Sequence, residues 1–232
     1  MHDDHALSLP EEILLLALHD EKGTIGMESH YSYAVGGAVL AELVLRGRVR
    51  LEESGKKKFV RLESAQPTGS PFLDDCLARI DEDKKRRPAQ TWVSRFAETK
   101  QLKHRLAQQL CDRGILRADE DRVLLLFTRR IYPEVDSRPE HELIEKLRRA
   151  IFSDVGTVEP RTAVLISLAH HAGLLPNAFD KKELKARKKR IEQIGNGEAT
   201  SQATKEAIEA MQAAVFVACI LPTIIVTTTS SG

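Results

Sequence analysis

The sequence has almost no net charge: 35 Lys and Arg stand against 34 Asp and Glu in 232 residues, leaving +1 and a pI of about 7.8. No global field therefore drives the chain onto nucleic acid or an anionic surface, and any such binding requires a local patch. Cysteine is scarce, odd in number and widely spaced, at Cys76, Cys111 and Cys219. That argues against a disulfide framework or a zinc site and for reduced thiols in a cytosolic chain. Long hydrophobic runs are missing too. The longest, Ala213 to Val226, falls short of the roughly 20 residues of a spanning helix and contains Pro222; it reads as the end of a buried C-terminal helix, Ala203 to Leu221, followed by a tail. The acidic start, MHDDHALSLPEE, lacks the basic region of a secretory signal.

Catalytic signatures are also absent. There is no G-x-x-x-x-G-K-[ST], no G-x-G-x-x-G after a strand and no G-x-S-x-G. HELIE, His141 to Glu145, opens like a zinc-protease motif, but the position that must carry the second histidine is Glu145. His170 and His171 are adjacent, so on a helix they point about 100° apart and cannot share a metal; one core and one surface histidine is the expectation. His2 and His5 beside two aspartates belong to a free terminus. The expectation is no enzyme, no cofactor and no metal ligand.

What is present is helix. Ser8 and Glu11 form an S-x-x-E capping box, in which the Ser8 hydroxyl is expected to accept from the Glu11 N–H and the Glu11 carboxylate to reach back. The helix starts at Leu9, has no polar residue from Ile13 to Leu18, as a helix enclosed by protein would, and is expected to stop at Gly23. A second helix, Tyr31 to Arg46, sets Val35, Val39, Leu40, Leu43 and Val44 on a stripe, while Gly36, Gly37, Ala38 and Ala41 form a thin wall for the first helix to approach. After Gly47 come alternating Val49 and Leu51, a turn over Glu53 to Lys58, and a returning strand from Phe59 to Leu62.

Phe72 to Ile80 has helical spacing, and the charge run Asp81 to Pro88 reads as an exposed linker. A helix carrying Leu102, Leu106 and Leu110 ends at Arg113-Gly114, followed by Ile115-Leu116, and so repeats the grammar of LRGRVRL. Beyond an ADED turn, Val123 to Phe127 and Thr128 to Tyr132 supply the arms of a second hairpin. From Glu140 the pattern is helical, through Thr162 to His171 and the very basic Lys181 to Arg190. The fold class is mainly α with two hairpins.

Most basic clusters, including Lys56 to Lys58, Lys84 to Arg87, Arg129-Arg130 and Lys181 to Arg190, read as solvated faces. Lys100 and Lys103 differ: at i and i+3 on one helix face, beside His104, they could hold a phosphate as point charges.

LSLPEEILLLALHDEKG, AELVLRGRVRLE, the QPTG turn with FLDDCL, the single tryptophan in QTW, RLAQQLCDRGIL, VLLLF and LAHHAGLLPNAF occur in an order and spacing that resembles the Golgi phosphoprotein 3 family (GPP34-type domain) over nearly the whole chain. The resemblance implies one domain over 7–221, between a disordered leader 1–6 and a tail 222–232. Its fold would be central buried helices ringed by amphipathic helices, with protruding β-hairpins. It also implies a peripheral membrane protein that binds phosphatidylinositol 4-phosphate or a related anionic lipid in a basic pocket, takes the cytoplasmic tails of membrane proteins such as Golgi glycosyltransferases, and forms oligomers.

Carried over by position, the pocket arginines after the tryptophan fall on Lys100 and Lys103, which keeps the charge without the bidentate fork. The pocket tryptophan falls at Met27 and the arginine of the second helix at Gly36, so the pocket is half retained. The hairpin tied in the family to oligomerisation and bilayer contact falls on Val123 to Arg130, with Leu124, Leu125, Leu126 and Phe127 as its apolar part. The long acidic leader of animal members is missing, which suggests a short, bacterial-type relative. The helix–glycine–hairpin grammar also suits winged-helix modules, and a nucleic-acid-binding role is the alternative reading.

Overall fold

Ser8 and Glu11 set the start of the first helix, α1 (Leu9–Ala17), with both halves of the capping box in place: the Ser8 side chain faces the Glu11 backbone N–H, and the Glu11 carboxylate accepts from the Ser8 backbone N–H and hydroxyl at 2.7 Å each. Every residue of α1 is buried. Leu18 turns extended, with φ −73° and ψ 138°, and the helix ends there, well before Gly23. The structure is a computed structural model that describes residues 6–18, 28–55, 57–123, 127–153 and 156–198. The expected leader up to residue 5, Met27, Leu124 to Leu126, Cys219, the Ala203–Leu221 helix and the 222–232 tail lie outside the described residues.

α2 (Glu28–Leu45) starts three residues before the expected Tyr31, and it packs on α1. Its small-residue wall, however, also receives α4 (Ala89–Ala97), a helix the sequence reading did not anticipate. A Cβ added at Gly36 would overlap the Val93 carbonyl oxygen and come within 3.2 Å of the Ala97 nitrogen. Glycine lets the two backbones touch. Between these helices lie the antiparallel hairpin β1 (Val49–Ser54) and β2 (Lys57–Leu62), in register Val49↔Leu62, and α3 (Pro71–Asp81). The expected linker is not free: Val60 N–H donates to the Arg87 carbonyl at 3.0 Å, Phe59 bridges Pro88, and Asp83 pairs with both Arg87 and Arg95.

α5 (Leu102–Asp112) leads into the second hairpin, β3 (Asp119–Val123) and β4 (Phe127–Ile131). The expected ADED turn is corrected here, since Asp119 to Asp121 lie inside β3 and the register runs from Asp119↔Ile131 to Val123↔Phe127. Residues 115–116 join the segment after β4, with a Leu116–Glu134 bridge and Val135 N–H on the Ile115 carbonyl at 2.9 Å. Then follow α6 (Arg138–Phe152), α7 (Pro160–His171), α8 (Leu175–Ala178), α9 (Lys181–Ala186) and α10 (Lys188–Gly195). Helices α2, α5, α6, α7 and α8 all pack on α1. One cluster of buried apolar side chains extends from Leu9 to Ile194, so the mainly helical architecture with two small hairpins is as expected.

Candidate functional site

The helix face that was to carry both lysines does not exist. α5 begins at Leu102, and Gln101 before it holds φ 55° and ψ 32°, the only positive φ at a non-glycine among the described residues. Left-handed backbone at a side-chain-bearing residue is uncommon and is kept only where its surroundings fix it. Lys100 therefore stands exposed in the turn, while Lys103 sits half-buried in the first turn of α5. The turn is tied down from below: Leu102 N–H donates to the Thr99 carbonyl at 3.2 Å. The Arg79 guanidinium donates to Thr99 Oγ1 at 2.9 Å and the Arg95 carbonyl at 3.1 Å, and lies over the Phe96 ring at 5.8 Å. Three residues before Lys100, Ala97 rests on Gly36, so the lysine-bearing turn rises from the α2–α4 contact.

The electrostatics of this corner favour an anion. The N-terminus of α5 carries no side-chain cap, so its partial positive charge adds to Lys100 and Lys103. The Lys103 ammonium lies 5.9 Å from the Tyr132 ring centroid, and Tyr132 Oη is 2.8 Å from His104 Nδ1. Burial pushes the Tyr132 phenol above its ordinary value, so it stays protonated near neutral pH. Cys76 is buried with its thiol pushed up to about 12, chiefly by desolvation. No group of three His, Cys, Asp or Glu among the described residues could hold a metal ion.

Of the other expected site residues, Gly36 is buried in the helix contact, where the α4 backbone occupies the space a side chain or ligand would need. Gly36 is thus part of the thin packing wall read from the sequence, and the element that touches it there is α4. Met27 and Leu124 to Leu126 lie outside the described residues; Phe127 opens β4, opposite Val123. Sequence reasoning missed the αL turn at Gln101, for which a glutamine gives no signal, and the Arg79 strut.

A rival site, a surface cavity of about 390 Å³, is lined by Arg61, Lys84, Lys85, Arg86, Glu52 and Trp92, among others. Its arginines are already engaged, because Glu52 pairs with Arg61 and Arg86 at 3.2 Å each and with Arg50 at 2.6 Å. An incoming phosphate would have to compete with that carboxylate. No described helix is long and apolar enough to cross a membrane.

The sequence matches the family described as Golgi phosphoprotein 3 (GPP34) over residues 9–211. It is similar to Vacuolar protein sorting-associated protein 74 of Schizosaccharomyces pombe (strain 972), with 26% identity over 220 positions, 81% of this chain and 65% of that protein. The chain thus spans less than two thirds of the length of this curated relative.

Proposed function

We propose, on the premise that this chain belongs to the Golgi phosphoprotein 3 family, that it is a non-enzymatic peripheral membrane protein. It docks an anionic lipid head group on the turn before α5. The lysines supply point charges, the α5 N-terminus supplies backbone dipoles, and the Arg79-braced turn fixes their spacing. The observation that carries this reading is the left-handed Gln101 between Lys100 and Lys103, which spends backbone strain on holding a lysine exposed next to an uncapped helix start. The family resemblance makes phosphatidylinositol 4-phosphate the first head group to try. The hairpin β3–β4, with Leu124 to Phe127, supplies a second contact, to the bilayer or to another copy of the chain. The relative's name speaks of vacuolar protein sorting, which supports an adaptor role toward the cytoplasmic tails of membrane proteins.

Liposome flotation with vesicles carrying one anionic lipid at a time tests the reading. Wild type should float, more weakly as salt is added, and Lys100→Ala with Lys103→Ala should bind about tenfold less or worse with an unchanged melting temperature, since each lysine near an anionic surface contributes about 1 kcal/mol. Wild type that ignores every vesicle yet binds duplex DNA with a steep salt dependence would replace this reading with the nucleic-acid one.

A further inference from the structure

The basic run Lys181 to Arg190 plays no part in the site before α5. Helices α7, α8, α9 and α10 meet in a corner that encloses a cleft of about 300 Å³. Its wall is mainly aliphatic, with Leu175, Pro176, Leu184 and Ile191, and His170 adds one imidazole. Its rim is cationic. Lys181, Lys185 and Lys188 recur at i, i+4 and i+7, and Leu184 shares their stripe. The stripe crosses from α9 to α10 almost without a break, because the Arg187 N–H at the junction still bonds the Glu183 and Leu184 carbonyls at 3.1 Å. Lys188 meets Glu192 only at 3.8 Å with both side chains exposed, and among the described residues Lys181 and Lys185 have no carboxylate partner.

A merely solvated basic face would have no hollow beneath it. Here three exposed lysines line a mainly apolar cleft whose volume is at the lower end of small-molecule sites. We propose that this corner binds a single-chain anionic amphiphile of the fatty-acid kind, its alkyl chain in the cleft and its carboxylate among Lys181, Lys185 and Lys188. An inositol phosphate fits poorly, since beyond the single imidazole of His170 its hydroxyls would face aliphatic walls without partners. The three lysines line the cleft and are exposed, a placement in which a long cation can cover apolar surface with its stem while its charge stays hydrated. The inference is independent of the head-group reading and is tested without vesicles.

The full chain is titrated calorimetrically with dodecanoate below its micellar concentration, then irradiated with dodecanoate carrying a diazirine near its tail, and the cross-links are mapped by mass spectrometry. Expected are saturable binding, cross-links confined to 170–191, and affinity that falls about fourfold for each methylene removed. Lys181→Ala with Lys185→Ala should weaken binding at least fivefold without changing the melting temperature, and Leu184→Gln should weaken it too. Several results overturn the proposal: no saturable binding, cross-links elsewhere, acetate competing as well as dodecanoate, or variants that bind like wild type. An acidic helical peptide that occupies the corner where dodecanoate does not would assign it to a protein partner instead.

Discussion

Glu42 is 2% exposed and holds three elements together: it accepts from the Leu9 N–H at 2.9 Å, from Arg46 at 2.7 Å and from Arg161 at 2.7 Å. Burial alone would raise its carboxyl, but Arg161, the Leu9 N–H and Arg46 outweigh burial and hold it below its ordinary value. Glu12, beside Lys146 at 2.7 Å and Arg161 at 3.2 Å, goes the other way, because desolvation wins over its two cations. The signs differ accordingly. Ionised Glu42 contributes stability that is present above its ordinary pKa and lost as pH falls through the depressed one; the Glu12 contribution is present at low pH and lost as pH rises through its raised pKa. Glu42→Gln should therefore cost about 3–5 kcal/mol at neutral pH, as breaking a buried pair does, and the cost should shrink as pH falls from about 5 to 3. Chemical denaturation across that range checks it, and an equal cost at both ends would count against it.

Gly36→Ala forces a methyl into the α4 backbone and should cost about 1–3 kcal/mol; Gly36→Arg should unfold the α2–α4 contact without adding any lipid affinity. Melting curves read beside flotation separate these outcomes. Of these residues the capping pair was legible, because Ser8 and Glu11 are three apart. The Glu42–Arg161 pair was not, since its partners are 119 positions apart and surface-like in composition. Gly36 was legible as part of a thin wall, but what touches it was not.

At the scale of elements, α1 was readable because an apolar run after a capping box has one packing solution, burial on all sides. Leu15→Asp puts an unpaired carboxylate there, at a residue 2% exposed, and should cost several kcal/mol and prevent folding; soluble protein with near-normal melting would place α1 at the surface. α4 escaped although Ala89, Trp92, Val93, Phe96 and Ala97 recur at helical spacing, because it is only nine residues long and directly follows a charge run that reads as loop. The lysine pair was misread for a related reason. Helical spacing at Lys100 and Lys103 says nothing of the left-handed residue between them. The hairpin β3–β4 makes a separate prediction: Leu126→Ser with Phe127→Ser should keep the melting temperature while reducing oligomer size in sedimentation or retention on vesicles. Unchanged sedimentation and unchanged flotation would remove the hairpin from the membrane or oligomer role.

For the whole molecule, near-zero net charge means that affinity for an anionic surface has to come from a few placed cations. Arg61, Arg86, Arg87 and Arg95 are spent on Glu52 and Asp83, and Arg161 and Lys146 on the buried carboxylates. Lys100 remains exposed at the turn over the α2–α4 contact. The most direct measurement is hydrogen–deuterium exchange of the full chain on vesicles containing phosphatidylinositol 4-phosphate, compared with neutral vesicles. Protection should appear at the amides from Thr99 to Arg105, and it should vanish in Lys100→Ala with Lys103→Ala. Protection that leaves this turn untouched and falls on the cavity around Lys84 to Arg86 would contradict the assignment of the head group to the start of α5.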